Sequence, residues 1–281
     1  MCCFQISRHE YEQRIFIDSR RAPTRPHRVR VIIFRVVAVL AGLFFVVAVV
    51  LMASAPWVLL QPDQVTRTEL NRWFLTVAGS VDAIAAGVLL ALALRPRRTL
   101  LIVEHAGAAF VAGAIILPFQ PSFAAILAIG VVPLIAYPYW REVRTFASWW
   151  TGVSRAVLIL AALAGAGLPA TAAIAYPRQI GGTDPAARGG WWLDYAEHAT
   201  VLALAGVLAA SRGPGWRILR ALCSAVWLYL GMVVALVLPH HPGSWGRLGG
   251  AAAFLVGVGF GVAAWRGSER EVTGSPRRAV P

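Results

Sequence analysis

The sequence predicts an all-α membrane protein, a helical bundle of eight transmembrane helices in two parallel four-helix repeats. Three observations support this prediction. Of the 281 residues, 58% are hydrophobic and only 14% are charged, whereas soluble domains carry about 25% charged residues. The apolar residues form eight runs long enough, or nearly so, to cross a bilayer. The two halves of the chain also share a sequence pattern.

A helix of about 20 residues crosses about 30 Å of hydrocarbon, and each apolar run approaches that length. The first run is too long for the apolar region of a signal peptide. Residues 1–30 are polar and rich in arginine, so we expect a disordered basic tail, and residues 267–281 form a second tail. Residues 141–154 mix charges with large rings, which predicts an amphipathic connector on the membrane surface. The predicted spans are 31–54, 74–94, 99–117, 122–139, 155–175, 191–210, 217–239 and 247–265.

The arginines predict how the chain is oriented. The chain has no lysine, and 21 of its 26 arginines lie on the side of the two tails, in the tails, in the connections on that side or at the span ends beside them. Cytoplasmic loops carry the excess of basic residues. We therefore expect a multi-pass protein of the plasma membrane with both termini in the cytoplasm. Because the arginines lie in short loops between apolar spans, the partner of this basic chain is the lipid bilayer rather than nucleic acid.

Tryptophans agree with these span ends. Ten of the eleven fall near a predicted end, and only Trp227 lies well inside a span. Indoles favour the membrane interface because the ring is apolar and its N–H is polar.

An internal duplication divides the chain into repeats at 31–140 and 155–266. Residues 35–43 (RVVAVLAGL) parallel residues 155–163 (RAVLILAAL), and residues 116–122 (ILPFQPS) parallel residues 237–244 (VLPHHPGS). Each repeat has an even number of spans, so both repeats share one orientation. The paired prolines would end the third helix of each repeat at the outer face.

The half-unit has four short helices, a longer outer loop after the first and a tight inner turn, residues 95–98 (RPRR), after the second. This layout resembles the DoxX-like group of small four-helix membrane domains, here in tandem. The resemblance implies a helical bundle in the plasma membrane, and no functional residue carries over from it.

Ionisable residues inside the spans are the candidate site, because a charge at mid-bilayer costs about 2.5–3.5 kcal/mol. Asp194, Glu197 and His198 lie on one face of the sixth span at spacings of three and four residues. If the third and sixth spans face each other, two Glu-His pairs could converge in the core. The candidate residues are Asp82, Glu104, His105, Asp194, Glu197 and His198.

Four interpretations of this polar centre stay open: a di-acid and histidine metal site, a proton-coupled binding pocket, an acid that protonates an apolar substrate, and structural contacts between helices. The residues lack the spacing of a metal motif, so we expect no metal. We expect His240 and His241 to be solvated residues of a turn. The three cysteines show neither disulfide nor metal spacing.

Two functions follow from these observations. The first is a membrane protein without catalytic activity that binds or carries a small or lipophilic molecule at the polar centre, or serves as an assembly subunit. The second is a membrane-embedded enzyme that acts on a lipid-soluble substrate, such as an isoprenoid or a quinone, through carboxylate acid–base chemistry. The sequence names neither a catalytic residue nor a cofactor, and no nucleotide-binding or hydrolase motif is present.

Overall fold

The computed structural model describes residues 25–53, 65–116, 123–140, 143, 152–164, 177, 180–182, 188, 191–240 and 244–273. Within these ranges the chain is helical, and none of the described residues forms a strand. The predicted tail up to residue 24, most of the predicted connector and the first paired-proline turn lie outside them.

The described part of each of the eight predicted segments contains a helix, although residues 165–175 of the fifth segment lie outside the described residues. Four of the helices, α1, α2, α7 and α8, are long and apolar enough to cross a membrane. A single 3-10 turn, Pro96–Arg98, joins α2 to α3. The helices are α1 (Arg25–Ala53), α2 (Val65–Leu94), α3 (Leu100–Ile116), α4 (Phe123–Ile135), α5 (Arg155–Ala164), α6 (Trp191–Ala210), α7 (Trp216–Leu236) and α8 (Gly246–Thr273).

Helices α2, α3, α6 and α7 form the centre of the bundle. Helix α2 packs on α7, α3 packs on α6, and α2 also packs on α6. The second helix of each predicted repeat thus contacts the third helix of the other. Helix α1 packs along α2 on one side of this centre, and α8 packs along α7 on the other.

Glycines bring α7 and α8 into backbone contact. A Cβ atom on Gly231 would lie 2.4 Å from the backbone nitrogen of Phe254, and one on Gly250 would lie 2.5 Å from that of Ala235. The Ser224 hydroxyl donates across the same contact to the carbonyl oxygen of Gly257 at 2.8 Å. Small residues allow this approach, and membrane helices associate through such packing and hydrogen bonds.

Two turns meet at one end of the bundle, which we call the basic end: residues 95–99 between α2 and α3, and residues 211–215 between α6 and α7. Gly215 has a φ of 97°, and a Cβ there would lie 3.1 Å from the Cα of Thr99. Glycine is favoured because this backbone conformation strains other residues. The Tyr137 hydroxyl donates to the carbonyl oxygen of Pro96 at 2.7 Å and ties the chain after α4 to the same end.

Arg220 binds backbone carbonyl oxygens at the basic end. Its side chain is buried, and its Nε donates to the carbonyl oxygen of Ala209 at 2.7 Å. Longer contacts join the same guanidinium to the carbonyl oxygens of Ala210 and Ala263. The last carbonyls of a helix have no partner within that helix, so Arg220 satisfies the end of α6 and links α6, α7 and α8. Its position in the sequence suggested only a cytoplasmic arginine.

Candidate functional site

Glu104 and His105 lie in the second turn of α3, near the basic end. His105 is only 2% exposed, and no residue in the described part of the chain makes a hydrogen bond to its Nδ1. Ile102 lies three residues earlier, is fully buried and packs against Gly215. Residues three apart share a helix face, so His105 points into the bundle. Both carboxylate oxygens of Glu104 are shielded from solvent.

Glu197 and His198 lie in the second turn of α6, at the opposite end of the bundle. The Nδ1 of His198 is 3.9 Å from an Oε atom of Glu197, and their side chains are 8% and 11% exposed. His198 shares its helix face with Tyr195 and Leu202, which both belong to the hydrophobic core. The imidazole of His198 therefore faces the centre. Asp194 lies in the first turn of α6, and its side chain is outside what the structure describes.

Asp82 lies at the middle of α2 but on a different face. It shares that face with Ala86 and Leu89, which pack with Ala41 and Phe45 of α1. Ile84 belongs to the main core instead, and a separation of two residues turns a helix by about 200°. Helix geometry therefore places Asp82 on the face of α2 nearer α1, while its grouping with the two Glu-His pairs stays a prediction.

The two Glu-His pairs occupy different depths, although α3 and α6 pack on each other. His105 lies five residues from the start of α3, and His198 lies twelve residues from the end of α6. Both of those helix ends adjoin the basic end, so the two imidazoles differ in depth by about 10 Å at 1.5 Å per residue. Among the described residues, no three His, Cys, Asp or Glu side chains form a group that could hold a metal ion.

The remaining sequence candidates lie away from this centre. His240 is exposed in the turn after α7, and His241 lies outside the described residues. Cys223 is buried in α7, while Cys2 and Cys3 lie outside the described part of the chain.

An aromatic cluster fills the end of the bundle opposite the basic end. Trp245, just before α8, packs edge-on to Trp73 of α2 with ring centroids 5.4 Å apart. It also stacks on Trp227 of α7 at 5.9 Å. We define the aromatic cluster as Trp73, Phe74, Trp192, Tyr195, Trp227 and Trp245, which are joined by ring contacts of 5.2–6.2 Å.

The aromatic cluster differs from an interfacial belt of indoles. Trp73 and Trp192 lie near span ends, as the sequence indicates, but both rings are buried in the bundle. Trp265, by contrast, is 71% exposed. The indole N–H groups of Trp73 and Trp245 are buried and have no hydrogen-bond partner among the described residues. Sequence reasoning missed the cluster, and its one signal was Trp227, the tryptophan placed deep inside a span.

The candidate site is thus the interior of the bundle. His105 lies near the basic end, and Glu197 and His198 lie between it and the aromatic cluster. Its chemistry combines packed aromatic rings, indole donors, imidazoles and carboxylates. No family model matches this chain, and no curated protein or solved structure is significantly similar to it.

Proposed function

We propose that this chain is an integral membrane protein that binds or carries a small or lipophilic molecule in the interior of its helical bundle. The observation that carries the proposal is His105, a fully buried imidazole whose Nδ1 has no hydrogen-bond partner among the described residues. Buried polar groups are nearly always hydrogen-bonded, and an exception requires an explanation. A ligand with a polar group supplies the missing partner.

The aromatic cluster supports the same proposal. Trp73 and Trp245 present two further buried donors without a partner in the described residues. Binding sites for small molecules are mostly apolar and aromatic, with a few polar groups that orient the ligand. A molecule with an apolar body and polar ends suits an interior that has polar groups at two depths.

The proposal includes eight crossings in two parallel repeats, in the plasma membrane, with both termini in the cytoplasm. The reciprocal packing of α2 on α7 and of α3 on α6 supports the repeats, because a two-fold axis along the membrane normal exchanges these two contacts. The same arrangement agrees with the resemblance to tandem DoxX-like domains.

The test is a His105→Leu substitution, with His240→Leu as the matched control on an exposed histidine. An apolar side chain of similar size removes an unsatisfied polar group, so we expect the ligand-free His105→Leu protein to be more stable, by about 1–3 kcal/mol. The melting temperature in detergent measures this change. A total lipid extract from the expressing cells should raise the melting temperature of the wild-type chain and of His240→Leu, but not that of His105→Leu.

A lower melting temperature for His105→Leu, together with an unchanged response to the extract, would show that His105 is a structural contact between helices. Small molecules that copurify with each protein, identified by mass spectrometry, would reveal the ligand.

Glu104 favours the alternative of a membrane-embedded enzyme. Its carboxylate is shielded from solvent inside an apolar bundle, the kind of setting that suits a general acid. Incubation of the purified chain with the same lipid extract tests the alternative. A lipid product that forms with the wild-type chain and not with Glu104→Gln would support the enzyme, and an unchanged lipid profile would count against it.

A further inference from the structure

A cavity opens at the basic end between α1, the turn after α2 and the chain that follows α4. Its volume is about 330 Å³, and it is a shallow cavity that is broadly open to its surroundings. Ligand pockets range from about 300 to 1,000 Å³, so this cavity has room for a small polar group. The described residues that line it are Arg35, Leu94, Arg95, Pro96, Arg97 and Tyr139.

The cavity is strongly basic. Three of the six lining residues are arginines that come from two separate segments of the chain, and none of the described lining residues is acidic. Like charges that share a cavity repel each other, and a bound anion relieves that repulsion. The planar guanidinium matches the geometry of phosphate oxygens and makes two parallel hydrogen bonds to them.

The wall of the cavity is held in place by contacts within it and behind it. The guanidinium carbon of Arg97 lies 4.7 Å from the ring centroid of Tyr139. The Thr99 hydroxyl donates to the carbonyl oxygen of Arg95 at 2.8 Å, and Tyr137 holds Pro96 from the other side. A preorganised wall loses less entropy when a ligand binds.

An apolar surface leads from the cavity along α1. Leu94, on the rim, is 75% exposed, and α1 is an apolar membrane-crossing candidate that is mostly unburied. The exposed apolar side chains of α1 beyond Arg35 include Val36, Val39, Leu40, Leu43, Phe44 and Val47. An anion that carries acyl chains can therefore place its phosphate in the cavity and its chains against α1, whereas a free phosphate gains nothing from this surface.

We propose that this cavity is a binding site for the headgroup phosphate of an anionic phospholipid, in the leaflet that the arginine distribution predicts to be cytoplasmic. Basic pockets between transmembrane helices on that side suit such headgroups. The site is independent of the ligand proposed for the bundle interior, because none of its described lining residues is His105 or belongs to the aromatic cluster.

The experiment compares the full chain in nanodiscs of phosphatidylcholine that contain a labelled phosphatidylglycerol or a labelled phosphatidylcholine. Each basic side chain near a membrane surface contributes enough attraction to change affinity about fivefold. We expect Arg35→Gln and Arg95→Gln each to weaken phosphatidylglycerol binding about fivefold, and the double variant about 25-fold, with no change in phosphatidylcholine binding.

Arg266→Gln is the matched control, since Arg266 is an exposed arginine outside the cavity. All variants keep the basic segment before residue 25, so binding through that segment cancels in the comparison. Elution from a sizing column verifies that each variant is folded. Should a variant fail to fold, the preference of the wild-type chain for phosphatidylglycerol, and its loss in high salt, still test the proposal.

Equal binding of the two lipids by the wild-type chain would overturn the proposal. So would equal losses in the double variant and in Arg266→Gln, since these would indicate a diffuse charge effect. A third arm adds inorganic phosphate. Displacement of phosphatidylglycerol by phosphate at comparable concentration would show that the cavity binds a free anion and not a lipid.

Discussion

The guanidinium carbon of Arg220 lies 4.0 Å from the centroid of the Trp216 ring, one helical turn before it on α7. The indole of Trp216 covers the guanidinium of Arg220. The guanidinium nitrogen atoms donate to the last carbonyl oxygens of α6. The buried charge is stabilised because it contacts three backbone carbonyl oxygens and one aromatic ring. Arg220, packed against Trp216, therefore links α7 to α6 and α8.

Loss of the Arg220 contacts should destabilise the protein. Arg220→Gln removes hydrogen bonds from a charged donor, each of which contributes about 1.5–3 kcal/mol, including the one to the carbonyl oxygen of Ala209 at the end of α6. We expect a loss of about 2–4 kcal/mol and a reduced yield of monodisperse protein. Thermal unfolding in detergent measures it. Arg155→Gln, at an exposed arginine, should change stability little; equal losses in the two variants would contradict a specific role for Arg220.

Contact between α7 and α8 makes a second prediction. Gly231→Ala places a methyl group within 2.4 Å of backbone atoms of α8 that cannot rotate away, so we expect a loss of about 1–3 kcal/mol. Gly107 is the matched control because a Cβ there would meet nothing within 4 Å, and Gly107→Ala should be neutral or slightly stabilising. The melting temperatures of the two variants in detergent measure both changes in stability. Equal stability of the two variants would show that α7 and α8 are not in such close contact.

The orientation can be tested by cysteine labelling in intact cells. In a chain whose three native cysteines are replaced by serine, we expect a cysteine at His240 to react with a membrane-impermeant maleimide. One at Arg97 should react only after permeabilisation. Both positions are exposed, so burial does not explain a difference. Labelling of position 97 in intact cells, with position 240 protected, would reverse the proposed orientation.

Apolar length was a good guide to the helices. A run of apolar residues long enough to cross a membrane must satisfy its own backbone hydrogen bonds, which favours a helix whatever surrounds it. The predicted span at 191–210 coincides with α6, and the span at 217–239 differs from α7 by one to three residues. The C-terminal end of α8 was less predictable, because its polar last turns continue the helix to Thr273 beyond the apolar run.

Side-chain direction was not predictable in the same way. Asp82 appeared to belong with the two Glu-His pairs because depth is readable from sequence, but the face it occupies depends on which helices pack against α2. Trp73 and Trp192 looked like interfacial residues because the sequence shows their positions near span ends. It does not show the rings of other helices that pack against them. Arg220 appeared to be a cytoplasmic charge, because the carbonyls that bind it come from other helices.

The stacked pair of Trp227 and Trp245, whose ring planes differ by 25°, gives this protein an optical property. Two indoles in such contact couple their electronic transitions and contribute a paired signal to the circular dichroism spectrum. Trp245 precedes α8, whereas Trp227 belongs to α7. The spectrum therefore reports whether the beginning of α8 is docked, and it does so without a label.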